Sequence, residues 1–111
     1  MTQAGLICGS IHHGDSRQII GISIARNSYT GKKAIREYIT KYFAGTKYEK
    51  SNTKKINFID KYTLGCYGRY DRNIIDIIRT MLIGDGVALE PTYTGKAFRG
   101  MIEYCREQAI T

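Results

Sequence analysis

The residues 19–25, IIGISIA, form an almost continuous apolar run that is rich in β-branched side chains. A run of this length and composition is typical of a strand buried on both faces, as in a parallel sheet. A second and shorter run, INFID, follows at residues 56–60. Because a segment with helical periodicity separates the two runs, we expect parallel strands joined by a right-handed crossover.

Three segments have the spacing of amphipathic helices, with apolar residues recurring every three or four positions. They lie within residues 27–46, 74–82 and 97–105. We expect Gly45 to stop the first helix. Asp71 or Asn73 is predicted to cap the second helix, and Gly84 to Gly86 to end it. Thr94 is predicted to cap the last one.

The segment 4–11, AGLICGSI, is small and apolar, and periodicity alone does not distinguish a buried helix from a strand there. Thr2 stands where the cap of such a helix would be. Pro91 prevents a continuous helix through the last connection, so VALE at 87–90 is predicted as a very short strand. The resulting order predicts a partial three-layer α/β fold with a small, mainly parallel sheet, in which residues 1–111 form a single domain.

The charge of the chain is basic, with 17 Lys and Arg against 10 Asp and Glu and a formal net charge of +7. This sign attracts phosphates, nucleic acids and acidic surfaces. The densest basic patch of the sequence is broken by Glu49 and Asp60, so a solvated face is favoured over a nucleic-acid footprint. The members of this patch are Lys47, Lys50, Lys54, Lys55 and Lys61.

The three cysteines, Cys8, Cys66 and Cys105, form no CxxC pair. Their odd number argues against a disulfide framework and against a zinc site, so reduced thiols in a cytoplasm are expected. The adjacent His12 and His13 have no partner at metal-ligand spacing. No apolar run is long enough for a signal peptide or a membrane span, and the sequence therefore predicts a cytoplasmic protein without a metal or membrane site.

Two short stretches combine residues that suit ligand binding. TQAGL, at residues 2–6, places a threonine and small residues at a predicted helix start, where free N–H groups and the helix dipole favour a phosphate. PTYTGK, at residues 91–96, places two hydroxyls beside Tyr93 and a glycine. The first stretch taken alone is a weak signal, because every capped helix is similar to it. For the second taken alone, a capped helix with a packing tyrosine is favoured over a binding site.

Together, TQAGL, IIGISIA, GCYGRYDRN and EPTYTGKAFRGMIE resemble the C-terminal half of one enzyme family. These are the pyridoxal-phosphate enzymes of fold type II that include 1-aminocyclopropane-1-carboxylate (ACC) deaminase and D-cysteine desulfhydrase. The resemblance covers nearly the whole chain and is weakest from Lys32 to Lys55. EPTYTGKAFRGMIE is its most specific part.

The resemblance implies roles for three residues. Thr2 matches the last threonine of the loop that holds the cofactor phosphate. Tyr93 matches a tyrosine that faces the cofactor ring and, in the deaminases, takes part in the reaction. Thr94 matches the residue that contacts the pyridine nitrogen. Deaminases have a glutamate at this last position, whereas a threonine offers only a neutral hydrogen bond, which favours desulfhydrase-like β-elimination.

The sequence also departs from the family. The Schiff-base lysine of the family lies far upstream of anything that matches this chain, and Lys96 matches the lysine of the YTGK turn instead. The rest of the phosphate loop, the small domain and the N-terminal half have no counterpart here. The resemblance therefore predicts a fragment that has no catalytic activity alone and for which binding of pyridoxal phosphate is doubtful.

The open sheet and apolar helix faces predict a partner, either another copy of the chain or a separate N-terminal half. A non-enzymatic alternative stays open, namely a basic binding or oligomerising module for an anionic partner. Its support is the charge of +7 and the nine tyrosines. A nucleic-acid partner is not favoured, because the basic residues are scattered.

Overall fold

A computed structural model describes residues 1–51 and 55–110 of the chain. It contains four α-helices and two short strands in these ranges. In chain order they are α1 (Thr2–His12), β1 (Ile20–Ile22), α2 (Ser28–Phe43), β2 (Asn57–Ile59), α3 (Arg72–Asp85) and α4 (Thr94–Glu107). A 3-10 turn, Glu49–Ser51, precedes β2. The strands β1 and β2 form a parallel two-stranded sheet, so the predicted α/β class is confirmed.

Contacts within the chain divide it into two compact units. Unit 1 comprises Met1–Gly21 and Asn27–Ile59, and unit 2 comprises Ile22–Arg26 and Asp60–Thr111. The expectation that residues 1–111 form a single domain stays a prediction. Lys54, which belongs to the basic patch predicted from the sequence, lies outside the described residues.

The core of unit 1 lies where α1 packs on α2. The segment 4–11, for which the sequence left two alternatives open, is helical and buries Ile7 in this core. Ile39 and Phe43 of α2 face it, while the Tyr38 and Tyr42 side chains of the same helix are exposed. The buried residues of this core are Ala4, Ile7, Cys8, Ile35, Ile39, Phe43 and Ile56.

Unit 2 is built on α3 packed against α4. Asp71 caps α3 as predicted, since its carboxylate accepts the N–H of Ile74 at 3.0 Å. Gly86 ends α3 in the left-handed conformation, with φ of 66°, as the glycines after this helix predicted. Gly45, which follows α2, has φ of 72°.

Two strand predictions were wrong in extent. The strand predicted over 19–25 ends at Ile22, because the chain then turns and Ser23 donates a hydrogen bond to the carbonyl of Arg26 at 2.7 Å. Its residues are half-buried rather than covered on both faces. The segment 87–90 forms no strand in the described structure, since its last residue, Glu90, is bonded into the turn before α4.

Candidate functional site

The first turn of α1 carries Thr2, the predicted phosphate contact. The prediction that Thr2 stands at the cap position of this helix was wrong. Thr2 is the first helical residue, and Met1 occupies the cap position without a side-chain hydrogen bond. Gln3 fixes this end of the helix, because its amide nitrogen donates to the carbonyl of Asn57 in β2 at 2.7 Å. Gly21 of β1 leaves room for Gln3, since a Cβ added at Gly21 would lie 1.8 Å from the Gln3 Oε1.

The other helix starts are closed by side-chain acceptors. Asn27 accepts the N–H of Thr30 at the start of α2, and Asp71 does the same at α3. At α4, the Glu90 carboxylate accepts backbone N–H groups. Among the described α-helices, α1 is therefore the one whose first N–H groups no side chain caps, which leaves them free for an anion.

Glu90 organises the turn that leads into α4. Its carboxylate accepts the N–H groups of Thr92 at 2.8 Å, Tyr93 at 2.6 Å and Thr94 at 2.6 Å. The prediction that Thr94 caps α4 was wrong, because the Thr94 hydroxyl instead accepts the N–H of Glu90 at 2.9 Å. The longer side chain of Glu90, four residues before Thr94, caps the helix instead. Glu90 was missed in the sequence, although an acid just before Pro91 and a helix start is a recognisable signal.

The hydrogen bonds to Glu90 determine its ionisation. Desolvation raises the pKa of the carboxyl, but the hydrogen bonds from Thr94, Thr92 and Tyr93 together lower it by more. The pKa of Glu90 therefore lies below its ordinary value. The carboxylate is therefore negatively charged at neutral pH and complements the positive end of α4.

Tyr93 is paired with a second tyrosine. The hydroxyl oxygens of Tyr67 and Tyr93 lie 2.6 Å apart, and their rings meet edge to face with centroids 5.7 Å apart. Both side chains are exposed, as is Thr94. The hydrogen bond to Tyr67 is the main cause that raises the pKa of the Tyr93 phenol, and the charge of Glu90 acts in the same direction. Tyr67 was missed in the sequence, where GCYGRYDRN contributed only to the family resemblance and none of its residues was given a role.

The loop that carries Tyr67 is held by a buried lysine. Lys96 of α4 has no exposed side-chain surface. Its ammonium donates to the carbonyls of Ile24 at 3.1 Å, Thr63 at 2.9 Å and Cys66 at 3.0 Å. These residues all belong to unit 2.

The remaining candidates from the sequence do not assemble a reaction centre. Within the described residues, no three His, Cys, Asp or Glu side chains are grouped so that they could hold a metal ion. The His12 ring meets the His13 ring edge to face and lies tilted against the Tyr48 ring, and Asp71 faces the guanidinium of Arg99 at 3.5 Å. The three cysteines are free thiols.

A basic groove lies on unit 1. Lys32, Lys33 and Arg36 of α2 line it together with Lys55, which precedes β2. The exposed Tyr29 ring and the buried Ile56 complete the lining, and no acidic side chain is part of it. This cluster differs from the basic patch predicted from the sequence and shares only Lys55 with it, since residues of α2 come close to Lys55 in space rather than along the chain.

Comparison with curated proteins gives consistent relatives. The chain is 33% identical over 109 residues to a putative ACC deaminase of Pyrococcus furiosus, and 26% identical over 108 residues to that of Pyrococcus abyssi; each match covers 96% of this chain and 32% of the relative. A D-cysteine desulfhydrase of Salmonella paratyphi B is 30% identical over 105 residues, covering 92% of this chain and 30% of that protein. No model of a protein family matches the chain.

A solved structure agrees with these relatives. The crystal structure of an ACC deaminase homologue superposes with a TM-score of 0.85 at 27% identity, over 99% of this chain and 33% of that one. The resemblance to the ACC deaminase and D-cysteine desulfhydrase family is confirmed. The chain spans about a third of the length of the members of this family that it matches.

The three residues to which the family resemblance gives roles lie at two helix starts. Tyr93 and Thr94 stand together at the beginning of α4 in unit 2, beside Tyr67. Thr2 begins α1 in unit 1. None of the helices in the described part of the chain has both the length and the apolar character of a membrane span.

Proposed function

We propose that this chain provides residues of the cofactor-facing wall in a pyridoxal-phosphate enzyme like the ACC deaminases and D-cysteine desulfhydrases, and that it has no catalytic activity alone. The observation that carries the proposal is the hydrogen-bonded pair of exposed phenols, Tyr67 and Tyr93, at the start of α4. Similarity to relatives with those names over 92 to 96% of this chain supports it.

The described residues fit non-covalent contacts with such a cofactor. The N–H groups at the start of α1, with Thr2, suit its phosphate, because no side chain caps them. The Thr94 hydroxyl is exposed, and its bond toward the Glu90 carboxylate is long, 3.4 Å, so its proton is available for a neutral hydrogen bond to a ring nitrogen. Pyridoxal phosphate, when bound, withdraws electrons from the substrate carbon.

Tyr93 suits proton transfer at its phenol oxygen. This oxygen shares a hydrogen bond with the Tyr67 hydroxyl, and either of the two can be the donor. A phenol that can both donate and accept is able to hold a substrate group or pass a proton to it. We assign Tyr93 this role, with Tyr67 as the group that orients it.

Lys96 does not fit the covalent anchor of the cofactor. Lys96, the lysine beside the candidate site, is fully buried, and its three protons are bonded to three carbonyls. A lysine that forms a Schiff base must be exposed to the cofactor and lose its proton. The burial of Lys96 supports the proposed lack of activity of this chain alone.

Thr94 favours a desulfhydrase-like reaction over a deaminase-like one. A hydroxyl cannot keep a pyridine nitrogen protonated, as a carboxylate can, so the ring withdraws electrons less strongly. We therefore propose β-elimination from a small amino acid as the reaction of the whole enzyme. The three free thiols support a reducing, cytoplasmic location.

The first experiment measures the reaction directly. The chain is incubated with pyridoxal phosphate and D-cysteine, and hydrogen sulfide is measured against an intact D-cysteine desulfhydrase. We expect no release above the cofactor alone. Release at a rate comparable with that of the intact enzyme would overturn the proposed lack of activity.

A second experiment measures the proposed phosphate contact. Amide NMR signals of Thr2 and Gln3 are followed during titration with inorganic phosphate and with pyridoxal phosphate. We expect both amides to shift, while those of Asn27 and Ser28 at the capped start of α2 stay in place. Equal shifts at the two helix starts would contradict a specific contact.

The basic groove of unit 1 supports a second candidate, a binding module for an anionic partner. The four cations and the exposed tyrosine that line this groove suit phosphates and a stacked base. With about four phosphates neutralised, affinity for a labelled single-stranded oligonucleotide should fall about 50-fold between about 50 and 200 mM salt. Lys32→Gln with Lys33→Gln should weaken binding more than Lys41→Gln with Lys50→Gln. Equal effects of the two double variants would exclude the groove.

A further inference from the structure

Lys96 is a buried cation whose hydrogen-bonding capacity is fully used. An ammonium has three protons, and the three carbonyls of Ile24, Thr63 and Cys66 lie 2.9 to 3.1 Å from its nitrogen. Burial lowers the pKa of Lys96, whereas the charge of the nearby Cys66 raises it and that of Arg69 lowers it. A charge is retained in such a place only when its hydrogen bonds are complete, as they are here.

Two of the three carbonyls belong to one strained loop. Between Thr63 and Cys66 the chain passes through Leu64 with φ of 56° and Gly65 with φ of 89°. A leucine in the left-handed region persists only where surrounding contacts hold it there. The Lys96 ammonium holds both ends of this segment, and Arg69 donates to the carbonyl of Leu64 at 3.3 Å.

The loop delivers Tyr67 directly after the last of these carbonyls. Cys66 is bonded to Lys96 through its carbonyl, and Tyr67, the next residue, is bonded to Tyr93 through its hydroxyl. Tyr93 precedes Lys96 by three residues at the start of the same helix. The contacts therefore form a closed ring that runs from Lys96 through the loop to Tyr67 and back through Tyr93 to α4.

We propose that Lys96 is a positioning residue, which seats Tyr67 against Tyr93 by binding the carbonyls of the loop 63–66. The consequence for catalysis rests on the proposed function, whereas the positioning itself does not. The hydrogen bonds described for the Lys96 ammonium go to backbone carbonyls, so it acts through the backbone of the loop.

The test follows the tyrosine pair and needs neither cofactor nor substrate. In protein labelled with ¹³C at tyrosine Cζ, the Tyr93 signal is assigned with Tyr93→Phe and titrated with pH. In Lys96→Met, which keeps an unbranched apolar side chain one atom shorter and removes the ammonium, we expect the pKa of Tyr93 to fall toward its value in Tyr67→Phe. The same titration as in the unsubstituted chain, in a folded Lys96→Met protein, would overturn the proposal.

Two further measurements separate positioning from general stability. Ile74→Val removes a buried methyl group from unit 2 and should leave the Tyr93 titration unchanged. An equal shift of the Tyr93 pKa in this variant would attribute the effect to stability alone.

If Lys96→Met does not fold, ¹⁵N spectra of the unsubstituted chain test the proposal instead. A slowly exchanging Lys96 ammonium, correlated with the Thr63 and Cys66 carbonyls, is expected, and a rapidly exchanging one would overturn the proposal. These measurements do not involve activity. The positioning role of Lys96 can therefore be confirmed or overturned even if the proposed function is wrong.

Discussion

The hydroxyl oxygens of Tyr67 and Tyr93 lie 2.6 Å apart, although 26 positions separate the residues in the chain. This bond is the first cause of the raised pKa of Tyr93. We expect Tyr67→Phe to lower the pKa of Tyr93 toward that of an ordinary tyrosine, measured by NMR titration. Tyr70→Phe, a matched change at an exposed tyrosine three residues further, should have no such effect. An unchanged titration in Tyr67→Phe would remove Tyr67 from the candidate site.

The Glu90 carboxylate should make stability depend on pH. Because its pKa is lowered in the folded chain, its contribution is present above the ordinary glutamate pKa, about 4.3, and is lost as the pH falls through the folded value. We expect Glu90→Gln to lower the urea midpoint of unfolding at pH 7, and the difference from the unsubstituted chain to vanish at acid pH. Glu37→Gln, an exposed carboxylate on α2, is the control. A difference that persists in acid would contradict the capping role.

Much of the fold could be predicted because local rules decide it. The spacing of apolar residues gave α2, α3 and α4, and the αL glycine at 86 and the Asp71 carboxylate determine where α3 ends and begins. Strand lengths were less predictable, since apolar residues such as Ile24 are compatible both with a strand and with a half-buried bend. The carbonyl of Ile24 accepts a hydrogen bond from the distant Lys96 instead of one from a neighbouring strand.

The candidate site was predictable only in part, because its contacts are distant in sequence. Tyr93 and Thr94 were identified through the family resemblance and do begin α4 together. Tyr67 and Lys96 were not, since a phenol pair and a carbonyl-bound ammonium leave no periodic signal. Glu90 was not predicted as the cap of α4, because several hydroxyl residues near this helix start could also cap it. The longer Glu90 side chain reaches the first N–H groups of α4 and caps them instead.

Gly95 allows α4 to approach both the preceding turn and α3. A Cβ at this position would lie 2.8 Å from the carbonyl oxygen of Glu90 and 3.1 Å from two side-chain carbons of Ile78. We expect Gly95→Ala to destabilise the chain by about 1–3 kcal/mol, measured by urea unfolding. Gly84→Ala in α3, where an added Cβ meets nothing within 4 Å, should instead stabilise it by about 0.4–1 kcal/mol. Equal effects of the two changes on the free energy of unfolding would show that the close approach at Gly95 does not limit the side chain there.

The end of α3 presents apolar side chains that nothing in unit 2 covers. Ile83 is 85% exposed, and Leu82 and Val87 beside it are also exposed. We therefore propose that this surface packs against a second copy of the chain. The chain alone should then self-associate at high concentration, as measured by light scattering.

A substitution within this surface tests the proposed association. Burying an isoleucine stabilises a contact by about 1.5–3 kcal/mol, so Ile83→Glu should weaken self-association by about tenfold or more. Tyr42→Glu places the same charge at an exposed aromatic residue of α2 and should have a smaller effect. A folded chain that stays monomeric at high concentration would contradict the proposed association between copies. Loss of association in Tyr42→Glu but not in Ile83→Glu would place the contact on α2 instead, because only the surface that is buried between chains responds to an introduced charge.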